Sequence, residues 1–150
     1  MKLYVDLDGV LADFDWFIAK NNLTKQSLWP IINYRIKKGW TVWGNLPLMS
    51  DAMELWDFVK DKDPTILTAT GLSGYDYVSA EKRGWCLRHL GDVDVITVET
   101  GREKAASASE GDILIDDRIK NIEHWITAGG VGILHTSAAD TIKELKKLGF

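Results

Sequence analysis

The chain has 150 residues, 45% hydrophobic and 27% charged, which is enough to close one core burying about 68–70% of the unfolded surface and too apolar for a disordered chain. Its formal net charge of −4, with a pI near 5.3, excludes the basic footprint of a duplex nucleic-acid binder. No apolar run approaches the roughly 18 residues that span a bilayer, Asp6 and Asp8 interrupt the N-terminal apolar stretch, and the single cysteine, Cys86, has no intramolecular partner, so a cytoplasmic location is expected.

The first predicted element is a short strand, Leu3-Tyr4-Val5, that runs into Asp6-Leu7-Asp8-Gly9. Residues i and i+2 of an extended chain point to one side, so Asp6 and Asp8 converge on one spot and Gly9 lets the backbone turn away. Paired carboxylates repel, and a shared proton or a hard cation such as Mg²⁺ relieves them. An Asp-Gly turn is also a common strand ending, so the pair alone leaves a turn and a metal site as alternatives.

Residues 14 to 48 follow as an insert of two helices, about 14–21 and 25–38, and a Gly39-Trp40-Thr41-Val42-Trp43-Gly44-Asn45 segment without helical periodicity. Too long for a plain loop, it reads as a small cap over the sheet edge. It holds Trp16, Trp29, Trp40 and Trp43, four of the seven tryptophans; Trp40 and Trp43 are favoured for substrate contact because they fall outside a clear helix. Asp13 is placed to cap the first of these helices.

Helices over 51–60, 75–90, 118–128 and 139–148 then alternate with the apolar runs Thr65-Ile66-Leu67-Thr68, Val93 to Val98, Ile113-Leu114-Ile115 and Val131-Gly132-Ile133-Leu134. Asp51 and Glu54 have capping-box spacing, and Ser137 is a plausible N-cap for the last helix. The alternation predicts parallel βαβ units in a three-layer, Rossmann-like α/β sandwich, one domain over residues 1–150 with 14–48 as its cap.

In such sheets ligands bind outside the carboxyl ends of the strands. That rule selects Asp6 and Asp8 after the first strand and Thr68, Ala69, Thr70 and Gly71 at the second. It also selects Arg102 and Lys104 beyond the third, and Asp116, Asp117 and Arg118 at the fourth. Four acids at one edge are costly without a divalent cation, and Mg²⁺ is the expected cofactor. The set suits phosphoryl transfer: an aspartate as nucleophile, a second acid to move the proton, a lysine to hold charge, and a hydroxyl with main-chain N–H groups after Thr68 to bind a phosphate oxygen. His89, His124 and His135 have no metal-ligand spacing.

The order of these motifs resembles the haloacid dehalogenase superfamily of phosphotransferases: DxDGV on the first strand, a hydroxyl residue ending the second, a downstream lysine, and an acidic pair ending the fourth. Within it, DLDGVLADF, TGREK and ILIDDR are similar to the 5′(3′)-deoxyribonucleotidases and their phage or bacterial relatives. The resemblance implies Asp6 as nucleophile, Asp8 as general acid/base, and Thr68 and Lys104 as phosphate ligands. It implies Mg²⁺ on Asp6, the main-chain carbonyl of Asp8 and the Asp116/Asp117 pair, with Phe14 against the base and Arg118 near the substrate. Ala69-Thr70 stands where those nucleotidases have Ser-Pro after the threonine.

The expected function is therefore Mg²⁺-dependent hydrolysis of a small phosphomonoester through an aspartyl-phosphate, with a nucleoside monophosphate as first substrate. A sugar phosphate or a nucleic-acid 3′-phosphate end is the alternative substrate, and a receiver-like signalling domain is the alternative class. Neither duplex nucleic acid nor a membrane is an expected partner, and a homodimer is compatible with the reading.

Overall fold

The computed structural model describes residues 1–150. The strands are β1 (Leu3–Val5), β2 (Thr65–Ala69), β3 (Asp94–Val98), β4 (Ile113–Asp116) and β5 (Val131–Leu134). The helices are α1 (Phe14–Lys20), α2 (Lys25–Lys38), α3 (Ala52–Val59), α4 (Tyr75–Leu90), α5 (Ile119–Thr127) and α6 (Ala138–Lys147), with short 3-10 turns at Trp43–Asn45, Lys60–Lys62 and Gly101–Ser107. No helix is long and apolar enough to cross a membrane.

The sheet has five strands, all parallel, in the order β3-β2-β1-β4-β5. It is the α/β sandwich expected from the alternation of strand and helix patterns. Side-chain alternation sorts the strands into two cores. Leu3, Val5, Ile66, Ile113 and Ile115 face one side, where residues of α3, α4 and α6 pack on them. Tyr4, Leu67 and Leu114 face the other, against Ile122 and Trp125 of α5. Tyr4 and Trp125 meet edge to face at 5.1 Å.

The insert joins the larger core through Phe17, Ile32, Val42, Trp43 and Leu46. Asp13 caps α1 by accepting from the Trp16 N–H at 3.1 Å, as its position predicts, and Thr24 and Ser27 cap α2 reciprocally. The chain returns from the insert under α4, where the fully buried Trp85 donates its indole N–H to the Leu46 carbonyl at 2.7 Å.

One local expectation is corrected. Asp51 stands at the N-cap of α3 but makes no capping bond there. Its carboxylate instead accepts from the Ala138 N–H at 2.7 Å and so serves the first turn of α6, which packs on α3. Spacing within one segment could not reveal an acceptor shared with a helix 87 positions away. Ser137 also caps α6, as predicted.

Trp85 joins the insert to the body through a bond that sits in the core. Trp85→Phe keeps most of the ring but leaves the Leu46 carbonyl without its donor, an expected loss of about 1–3 kcal/mol in urea unfolding.

Candidate active site

The register of β1 against β4 pairs Val5 with Ile115, so the next residues, Asp6 and Asp116, emerge side by side at the carboxyl edge. By alternation both share the face of Tyr4 and Leu114. There the 3-10 turn at Gly101–Ser107 supplies Lys104, whose Nζ donates to Asp6 Oδ1 at 2.8 Å and to Asp116 Oδ2 at 2.7 Å. Lys104 is 2% exposed and Asp116 fully buried. Asp116 also accepts from Asn121 Nδ2 at 3.1 Å and from the Arg118 N–H at 2.9 Å. Three donors thus hold Asp116, whereas the exposed Asp117 carboxylate lies beside Gly9. Gly9 has φ +80, and a Cβ there would overlap that carboxylate, so conformation and space both require glycine.

Thr68 lies on the opposite face, with Ile66, and faces α4. Lys82 of that helix, 0% exposed, donates to Thr68 Oγ1 at 2.9 Å, to the Ala69 carbonyl at 2.7 Å and to Asp8 Oδ2 at 3.0 Å. The same Asp8 oxygen accepts from the Trp43 indole N–H at 3.1 Å, while Asp8 Oδ1 is buried without a partner. Because the Thr68 oxygen accepts from an ammonium, its own hydrogen is free to donate elsewhere.

The first turn of the Trp43–Asn45 helix is fixed by Glu81, also from α4, which accepts from the Val42 and Trp43 N–H groups at 3.0 and 2.9 Å. Lys82 Nζ stands 5.3 Å from the Trp43 ring centroid. Phe14 stacks on Trp43 at 5.7 Å and on Phe17 at 5.9 Å.

These groups line a cavity of about 700 Å³. It brings together Asp6, Asp8, Phe14, Trp43, Thr68, Ala69, Lys104, Asp117 and Arg118, with Asp116 directly beneath. Trp40 is absent from its lining; it is half exposed and packs edge-on against Tyr34 at 5.7 Å. Trp29, on α2, lines the cavity in its place, with its ring against Gly71. The main-chain reading after Thr68 also changes: the Thr70 and Gly71 N–H groups already donate to Val98 and Glu99 carbonyls at 2.7 and 2.9 Å. Those two donors belong to the sheet, while the Thr68 hydroxyl and the Ala69 N–H remain as candidate phosphate donors of that loop.

Lys82, Glu81, Asn121 and Trp29 were not selected by the strand-end rule, since each reaches the edge from a helix. Lys82 did carry a signal. It falls in helical register with Val78, Trp85 and Cys86 on the buried face of α4, and a charge on an apolar face has to be paired. Cys86 beside it is an inert thiol, pushed by burial up to about 12.

The electrostatics favour a cation. If all four were ionised, Asp6, Asp8, Asp116 and Asp117 would set four negative charges against the ammonium groups of Lys82 and Lys104, with Arg118 a further cation acting on Asp117. Burial pushes the Asp6 carboxyl up to about 8, against the pull of Lys104 and with help from the Asp116 charge. Burial and then the Asp116 charge also raise Asp117. Burial would lower Lys104, but Asp6 and Asp116 outweigh it and hold the ammonium above the usual lysine range. Oxygens of Asp6, Asp116 and Asp117 lie within 4.8 Å of one another, an all-oxygen donor set that suits Mg²⁺.

No family model matches the chain, and no curated protein matches it in sequence. Among solved structures it is similar to a Had-superfamily hydrolase from Ehrlichia chaffeensis, with 17% identity over 98% of this chain and 96% of that one and a TM-score of 0.57. A hydrolase from Streptococcus pneumoniae TIGR4 is similar at 17% identity over 97% of both chains, TM-score 0.54. A hydrolase from Pseudomonas syringae follows at 12% identity over 99% of both chains, TM-score 0.52. At these identities the likeness is one of fold, and it extends over nearly the whole chain.

Two outcomes follow from the buried charges. The folded chain keeps the Asp6 proton up to about 8 while a free aspartate loses it near 3.8, so metal-free stability falls as pH rises between those values. Urea unfolding across that window should show a shallower fall in Asp6→Asn, and added Mg²⁺ should reduce the fall in the unmodified chain alone. Lys104→Met leaves Asp6 and Asp116 without their cation, an expected loss of about 3–5 kcal/mol in metal-free unfolding, smaller when Mg²⁺ is present.

Proposed function

We propose that the chain is a Mg²⁺-dependent phosphomonoesterase that works through an aspartyl-phosphate on Asp6 and acts on a nucleoside monophosphate. The observation that carries this reading is the cluster of Asp6, Asp116 and Asp117, with Lys104 bonded to the first two and Asp8 and Thr68 lining the same cavity. The fold shared with known hydrolases supports the hydrolytic direction.

In this mechanism an Asp6 carboxylate oxygen attacks phosphorus in line with the leaving oxygen. The P–O bond to the leaving group breaks as the bond to Asp6 forms, and the departing alkoxide takes a proton from Asp8. Lys82 and the Trp43 indole hold Asp8 by its Oδ2. Asp8 then removes a proton from water, water attacks phosphorus, and the Asp6–phosphorus bond breaks to release phosphate. Thr68 donates its hydroxyl to a phosphoryl oxygen, and Lys104 balances charge on the Asp6 side throughout. Mg²⁺, held by Asp6, the main-chain carbonyl of Asp8 and the Asp116/Asp117 pair, would neutralise charge on the transferring group.

The substrate assignment rests on the aromatic wall. Phe14, half-buried, lies against Trp43 and Phe17 in the wall of the cavity, and Trp43 is 3% exposed. Trp29 is 48% exposed and lines the cavity, and it is the surface against which a nucleobase would lie. Arg118, at the rim of the same cavity, is assigned to the substrate's polar groups.

Asp6→Asn should abolish phosphate release, as should chelation, with Mg²⁺ restoring only the unmodified chain; retained turnover in Asp6→Asn would exclude the covalent route. Trp29→Ala should raise KM for a nucleoside monophosphate by an amount equal to about 1–3 kcal/mol and leave p-nitrophenyl phosphate unaffected. Equal effects on both would count against base stacking, and a sugar phosphate hydrolysed faster than any nucleotide in the same panel would replace the substrate assignment.

A further inference from the structure

We infer that Lys82 is a positioning residue for proton transfer: from α4 it fixes the Asp8 carboxylate through Oδ2 and, with it, the Thr68 hydroxyl. The inference rests on the mechanism above and names a group that mechanism does not contain. Lys82 is fully buried, and its three donors are all spent on the site, at 3.0 Å to Asp8 Oδ2, 2.9 Å to Thr68 Oγ1 and 2.7 Å to the Ala69 carbonyl. It is distinct in place and partners from Lys104, which reaches Asp6 and Asp116 from the opposite face of the sheet.

A purely structural lysine would neutralise whatever carboxylate lay nearest. Lys82 does something narrower. A carboxylate on a two-bond side chain can rotate, and Lys82 together with the Trp43 indole fixes Asp8 by holding its Oδ2. The same ammonium takes the Thr68 lone pair and so turns the Thr68 hydrogen outward. Orientation of the acid and of the phosphate-binding hydroxyl are thereby tied to one rigid helix, and Glu81, its neighbour in sequence, fixes the segment that carries Trp43.

Leaving groups separate this role from general support. A nucleoside alkoxide needs the Asp8 proton to depart, whereas p-nitrophenolate leaves without one, and kcat/KM reports the steps up to that departure. Lys82→Met keeps the length and removes the donors. Its kcat/KM is expected to fall by about 100-fold for a nucleoside monophosphate and at least about ten times less for p-nitrophenyl phosphate. Trp43→Phe keeps the ring, removes the second donor to the same oxygen, and should give the same ordering with a smaller gap. Equal losses on the two substrates in Lys82→Met overturn the inference; if that variant does not fold, equal losses in Trp43→Phe overturn it. Absence of Mg²⁺-dependent turnover of both substrates by the unmodified chain is a failure of the phosphatase reading itself, visible before any variant is made, and it removes the inference as well.

Discussion

Charge balance at the carboxyl edge of the sheet is the constraint on which the rest depends. Asp6 and Asp116 are buried next to one another, and isolated buried carboxylates are not stable as anions. Lys104 makes the pair tolerable, but one ammonium between two carboxylates, with Asp117 alongside, still leaves excess negative charge. Burial answers that excess by holding a proton on Asp6 to about 8, which is the wrong state for the proposed nucleophile. A divalent cation would resolve the conflict, because it favours the ionised form of the carboxylate that attacks in the proposed reaction.

Parallel register supplies that geometry at no special cost. Adjacent β1 and β4 end on aspartates at matched positions, and alternation sends those side chains to the α5 face while Thr68 of β2 goes to the α4 face. Two lysines can therefore approach one edge from opposite layers without competing for the same acids. Lys104 comes from an irregular turn and Lys82 from the middle of a long helix. The insert closes over this edge, and Trp43, buried in the shared core, reaches back to Asp8.

Much of this was legible in the residues because strands and the positions just past them obey short-range rules. Asp6, Asp8, Thr68, Lys104 and Asp116-Asp117 could be named from apolar runs and the carboxyl-edge rule, and the helices of the insert from their own periodicity. What stayed hidden was contributed across the layers. Asp51 has capping spacing on α3 yet bonds α6, because capping is decided by which N–H lies within reach. The Thr70 and Gly71 N–H groups looked free in sequence but are taken by the carbonyls of Val98, the last residue of β3, and of Glu99. Trp40 and Trp29 exchanged places because exposure on a two-helix insert depends on how it lies over the sheet. Lys82 is the intermediate case: its register on an apolar face marked it as paired, while its partners required the fold.

Trapping the intermediate asks whether Asp6 carries the phosphoryl group during turnover. If the chain is quenched during turnover of a nucleoside monophosphate with Mg²⁺ and treated with borohydride, an aspartyl-phosphate is reduced to the homoserine side chain, which peptide mass spectrometry locates. The account predicts reduction at Asp6 alone, dependent on substrate and Mg²⁺. Turnover with no reduced carboxyl, or with reduction at Asp8, Asp116 or Asp117 in its place, would contradict it.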